Sequence, residues 1–190
     1  NGIQGFEVLE VNRENPYSKR LNDAIADFGV TALGYEEVYL TMAEFMGYEK
    51  KLNAKLVPYN DKIASFRSVK EEYELERMRK AQDITDKAFA EVLSRIEVGM
   101  TEKQLCAELI YCLLKNGADG LAFDPIVVSG PNTSLPHGVP GDRKIQEGDF
   151  ITMDFGALYA GYCADMTRTV AVGYVTDEME KVYKIVLQAQ

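Results

Sequence analysis

Histidine, cysteine and long apolar runs are what this sequence has least of. Among 190 residues there is one histidine, His137, and there are three cysteines. A single imidazole excludes the multi-histidine zinc sites, and no HExxH segment is present. GxSxG, GxGxxG and GxxxxGK[ST] segments are missing too, so serine-hydrolase, dinucleotide and P-loop chemistry have no motif to rest on. Cys106, Cys112 and Cys163 are odd in number and form no CxxC pair, which argues against a disulfide framework and against a zinc knuckle. A reducing cytoplasm is the compartment expected. No apolar run approaches the roughly 20 residues a spanning helix needs, and no basic start precedes a signal-like core, so no membrane association is expected. Positive charge is also short: 21 Lys+Arg stand against 30 Asp+Glu, a net charge of -9. With no basic stripe to override that field, nucleic acid is excluded as a partner.

What is present is the composition of a soluble globular protein, 46% apolar and 27% charged. Residues 1–66 read as a small α/β unit. Phe6 to Val11 alternates as a short strand, Asn15-Pro16 opens a helix that Gly29 closes, and Val30 to Tyr35 is a second strand. Thr41-Met42-Ala43-Glu44 is a capping box for a helix running to about Leu52, and Lys55 to Pro58 is a third strand. Strands separated by helices predict a partly parallel sheet. No catalytic cluster is visible in this unit, so a structural role is expected.

Residues 67–190 change character. Ser68-Val69-Lys70-Glu71 reads as a capping box for a long helix with apolar positions through Ile96, which Gly99 stops. Thr101-Glu102-Lys103-Gln104 caps the next helix, whose stripe is Leu105, Leu109, Cys112 and Leu113. From Ala122 the period falls to two, with a loop from Pro131 to Gly141, strands over Asp149 to Phe155 and Gly161 to Val172, and a helix capped by Thr176. The fold class is therefore α+β, with an antiparallel sheet in the second region. The chain begins at Asn1 and ends at Gln190 inside a helical pattern, so a piece of a larger protein is expected.

Two acids stand where acids are costly. Asp154 interrupts the apolar strand Phe150 to Phe155, and Asp165 sits in the strand that follows. A hairpin centred between Tyr159 and Ala160 would set them directly opposite each other, with Cβ atoms roughly 4.5–5.5 Å apart. Such a pair can share a proton, flank a scissile bond or bind cations. It can equally make hairpin turns or pair with Arg168 or a nearby Lys, although Arg168 falls on the opposite face of a regular strand. Cys163, Thr167 and Thr169 share the face of Asp165. His137 lies in Leu135-Pro136-His137-Gly138-Val139-Pro140, a loop stiffened by two prolines. It is either incidental or aimed at a substrate beside the carboxylates.

Together, Ser129-Gly130-Pro131-Asn132, Leu135 to Pro140, Gly148-Asp149-Phe150, Met153-Asp154-Phe155-Gly156 and Gly161 to Thr169 closely resemble the Xaa-Pro aminopeptidase and prolidase branch of the pita-bread-fold metallopeptidases. Residues 67–120 are similar to the helical start of that catalytic domain. Residues 1–66 resemble the latter part of the small N-terminal domain, with its opening strands absent. The resemblance implies the first half of a pita-bread catalytic domain, preceded by part of a small α/β domain and truncated at both ends. It further implies two divalent metal ions, with Mn favoured and Co or Zn as alternatives. Asp154 matches the first metal ligand, Asp165 the second, bridging ligand, and His137 a histidine that contacts substrate. The remaining ligands, one His and two Glu, have no counterpart before Gln190, so the chain alone is expected to be an inactive fragment. The implied substrates are peptides with proline at the second position, and the implied assembly of the whole protein is a homodimer. A catalytically silent peptide- or protein-binding module is the alternative from another class, and a creatinase-like amidinohydrolase a third.

Overall fold

The computed structural model describes Gly5 and residues 7–190, which divide after Lys70 into two units. In the first, α1 (Tyr17–Asp27) is followed by β1 (Ala32–Tyr35), α2 (Met42–Glu49), β2 (Lys55–Pro58) and α3 (Asn60–Ser68). β1 and β2 pair in parallel, Ala32 opposite Lys55 through Tyr35 opposite Pro58, with α2 as the crossover. The capping box forms as the sequence requires: the Glu44 amide donates to Thr41 Oγ1, and Glu44 Oε2 accepts from the Thr41 amide. Asn22 ties α1 to the turn after α2, donating to the Lys51 carbonyl and accepting from the Asn53 amide, both at 2.8 Å.

Two local expectations fail in this stretch, and one further helix is present. Residues 7–11 join no strand, and Phe6, the start of that expected strand, lies outside the described residues. The further helix, α3, carries little amphipathic pattern, so periodicity does not mark it in the sequence. Ser68 ends α3, with its hydroxyl donating to the Ser65 carbonyl, and so cannot cap the next helix. That role falls to Glu71, whose amide donates to Glu74 Oε2 at 2.8 Å.

The second unit contains α4 (Glu72–Leu93), α5 (Glu102–Lys115), β3 (Gly120–Leu121), β4 (Ile126–Ser129), a 3-10 turn (Gly130–Ser134), β5 (Phe150–Phe155), β6 (Ala157–Tyr159), β7 (Tyr162–Cys163), β8 (Met166–Ala171) and α6 (Asp177–Ala189). Both sheets are antiparallel, ordered β4-β5-β8 and β3-β6-β7. The segment read as a single strand over 161–172 is therefore two, one in each sheet. α5 starts at its Thr101/Gln104 box and ends at Asn116, and its stripe of Leu105, Leu109, Cys112 and Leu113 is fully buried. α4 contributes Ile84, Ala88 and Val92 to the same core. It stops at Leu93, short of Gly99.

Strict alternation along β5 decides which face meets those helices. Ile151, Met153 and Phe155 are 0% exposed, each worth about 1.5–3 kcal/mol of burial, while Phe150, Thr152 and Asp154 face the other way, half-buried. Thr85 joins α4 to the second sheet without leaving a polar atom unpaired: its hydroxyl donates to the Ala81 carbonyl at 2.9 Å and accepts from the Ala157 amide at 3.0 Å. One face of the β4-β5-β8 sheet is thus committed to the core. The other carries the polar residues.

Candidate active site

The open sheet face is set by register. β4 places Ile126 opposite Asp154 and Val128 opposite Thr152, and β8 places Thr167 opposite Asp154 and Thr169 opposite Thr152. Paired residues in an antiparallel ladder project to the same side. The Thr152 and Thr169 hydroxyls share a hydrogen bond of 3.0 Å, and the Thr167 hydroxyl donates to Asp154 Oδ1 at 2.6 Å. These groups make a polar strip across β5 and β8, with the apolar Ile126 and Val128 of β4 beside it. α6 leans on one end of it through Tyr183, whose ring centroid lies 6.3 Å from that of Phe150. Between helix and sheet is a groove of about 490 Å³ bordered by Thr152, Thr167, Thr169, Tyr183 and Val186.

The expected direct pairing of Asp154 with Asp165 does not occur. The hairpin turns about Ala160 and Gly161, at φ 48° and 84°, so Tyr159 pairs with Tyr162 and Asp154 with Thr167. Two positive φ values mark the type I′ turn that suits a two-residue hairpin loop, and this moves the centre by one residue and every partner by two. A shift of two preserves which face a side chain occupies. Asp165 lies between β7 and β8, past the last ladder pair of Phe155 with Met166, and is exposed. Gly156 makes this crossing from one sheet to the other feasible, because a Cβ there would run into the Ala164 carbonyl. Cys163 is exposed in β7, away from the threonine strip, and all three cysteines are free thiols.

Neither aspartate takes up the salt bridge that the sequence left open. Arg168 donates to the Thr167 carbonyl at 2.8 Å, and among the described residues Asp154 and Asp165 form no ion pair. Hard carboxylate oxygens suit hard divalent cations, so the donor chemistry of the two residues fits such ions. Among the described residues no cluster of three or more His, Cys, Asp or Glu able to hold a metal exists.

His137 is exposed in the loop between the 3-10 turn and β5. Its neighbour Gly138 is buried, donates its amide to the Leu135 carbonyl, and lies so close to β4 that a Cβ would come within 2.8 Å of Val128 Cγ1. Val128 shares the face of Thr152 and Asp154. The structure therefore seats the His137 loop on the sheet face that carries Asp154.

Sequence reasoning missed the buried acids beneath that loop. Glu102 is 0% exposed; its Oε1 accepts from the Ser129 amide (2.7 Å), the Ser129 hydroxyl (2.9 Å) and Asn132 Nδ2 (3.0 Å), and its Oε2 accepts from the Gly141 amide (2.9 Å). Burial pushes this carboxyl up, but the hydrogen bonds from Asn132, Gly141 and Ser129 outweigh it and hold the group below the ordinary range. Arg143 donates to the Ser129 hydroxyl (2.7 Å) and to both oxygens of Asp149 (2.6 and 2.9 Å). Burial likewise raises Asp149, and the Arg143 guanidinium with the Gln146 amide brings it below its usual value. An acid in the first turn of a helix reads locally as a dipole partner. Nothing in the sequence marked Glu102 as buried.

Residues 76–190 match metallopeptidase family M24. The chain is 38% identical over 163 residues to a Xaa-Pro dipeptidase of Pyrococcus horikoshii, covering 85% of this chain and 46% of that protein. Among solved structures, an X-Pro aminopeptidase from Thermotoga maritima superposes with a TM-score of 0.89 at 38% identity, over 97% of this chain and 53% of that one. A Xaa-Pro dipeptidase from Bacillus anthracis gives 0.87 at 37%, over 90% and 48%. The chain spans about half the length of the curated relatives it matches. Its fold is α+β, of the pita-bread type. This chain belongs to metallopeptidase family M24.

Proposed function

We propose that this chain forms the first half of the catalytic domain of a metal-dependent exopeptidase that cleaves between an N-terminal residue and proline. The observation that carries the reading is the shared sheet face: Asp154 stands on it, and the loop bearing His137 is seated on it, in a chain similar to Xaa-Pro peptidases. Asp154 and Asp165 would contribute carboxylate oxygens to two divalent ions, for which we propose manganese. The chemistry such ions supply is polarisation of the scissile carbonyl and activation of water. His137 would touch the substrate, orient it and hold a proton at an imidazole nitrogen. The bare stretch of α6 supports a partnership with further chain, since Val182, Ile185, Val186 and Leu187 are all more than half exposed. We place the protein in the cytoplasm, where its three thiols stay reduced, and as a homodimer when whole.

The test compares two proteins with Ala-Pro and Ala-Pro-containing peptides in the presence of Mn. The 190 residues alone hold two of the five ligands the family resemblance calls for, and no turnover is expected. The same chain continued through its natural reading frame to the length of its relatives, here the extended protein, is expected to be active. Peptide binding without turnover in the extended protein would assign it instead as a binding module.

A further inference from the structure

Glu102 spends a buried charge where the core asks for none. It is fully buried, and desolvating a carboxylate is expensive unless donors replace the lost water. Four donors do so, and their origin is informative. Three come from Ser129 and Asn132, where the chain leaves β4, and one comes from Gly141, where it returns. His137 lies between these two ends. The backbone of the same helix start grips the returning chain again, with the Glu102 amide donating to the Arg143 carbonyl and the Lys103 amide to the Gly141 carbonyl, both at 3.1 Å. A carboxylate is the one side chain that offers four acceptor sites and no donor. A glutamine would have to present its NH2 group to one end of the loop.

We propose that Glu102 is a positioning residue for His137: it clamps both ends of the 129–141 loop and so fixes the imidazole over the Asp154 face. The catalytic part of this statement rests on the role given to His137 above, and the clamp itself does not. Arg143 completes the device by holding the Ser129 hydroxyl toward Glu102 while bound to Asp149.

The clamp is tested on the 190-residue chain by amide hydrogen exchange and by the His137 ring proton signals. Glu102→Gln keeps one carbonyl oxygen for the three donors on Oε1 and turns an NH2 toward Gly141. The Gly141 amide is then expected to exchange at least tenfold faster, the Ser129 amide to change less than threefold, and the His137 signals to shift or broaden. Glu102→Ala should release both ends. Unchanged loop exchange and an unchanged His137 spectrum in the folded Gln variant would overturn the clamp.

The extended protein tests the catalytic part. Glu102→Gln should lower kcat on Ala-Pro at least tenfold with metal content kept, and adding it to His137→Ala should cost less than a further twofold. An equal loss in the presence and absence of His137 would make Glu102 merely structural. Should His137→Ala itself leave the rate unchanged, the catalytic role falls with His137, and the exchange result stands or falls separately.

Discussion

The Thr167 hydroxyl donates to Asp154 Oδ1 over 2.6 Å, directly across the β5–β8 ladder. That bond fixes the carboxylate plane and occupies one lone pair of Oδ1, which leaves Oδ2 as the freer oxygen. On the proposed ligand role of Asp154, a hydrogen bond that orients it is typically worth about 10–100-fold in metal affinity or activity. Thr167→Val in the extended protein is therefore expected to weaken Mn binding by about that factor, as calorimetric titration would read. Affinity within twofold of the parent would make the bond incidental.

Asp154→Asn and Asp165→Asn retain shape and remove charge. Each should reduce metal content and lower the rate by orders of magnitude in the extended protein, with Asp165 the more damaging because the family resemblance gives it the bridging position. Full metal loading and near-normal rates in both variants would dismiss the ligand assignment.

His137→Ala should separate from those two. It sits on the loop above the sheet and not in the ladder, so metal content should hold while the rate falls by about 10²–10⁴-fold, the usual range for acid–base help. Loss of metal on the same sample would make it a ligand.

The turn itself can be tested in the chain of 190 residues. Ala160 holds φ 48°, a left-handed value that costs an L-residue roughly 1–2 kcal/mol. Ala160→Gly relieves that strain against a smaller entropic loss, for a net gain of about 0.5–1 kcal/mol. Gly161→Ala, at φ 84°, should cost about 1 kcal/mol or more. Thermal midpoints moving in opposite directions are the expected result.

Acid should undo the loop clamp. Glu102 and Asp149 both titrate below their ordinary values in the folded chain, so each adds stability that is fully present above the unfolded carboxylate pKa of about 4. That stability is lost as pH falls through the folded values. Unfolding followed by circular dichroism should therefore steepen below about pH 4, and Glu102→Gln should flatten part of that dependence.

Several features were readable because they rest on neighbours in the chain. The Thr41 and Thr101 capping boxes lie where their side chains meet amides three residues on, and β2 and β5 follow runs whose composition and alternation are complete within a few residues. The same logic exposed Asp154, an acid in an apolar strand. It failed at Ser68, where two helices compete for one residue and the end of α3 wins.

What the sequence determined by itself, then, is side-chain alternation: Thr167 and Thr169 had to share a face, and any even shift in pairing keeps Asp154 on that face with them. Which residue meets Asp154 was decided by the tertiary structure, since the type I′ turn at Ala160-Gly161 sets the register and seats Thr167 there, leaving Asp165 at the crossing beside Gly156. The burial of Glu102 was decided the same way. Its donors at Ser129, Asn132 and Gly141 reach it only when the loop closes over the start of α5, and a carboxylate whose solvation comes from such distant residues leaves no local signal.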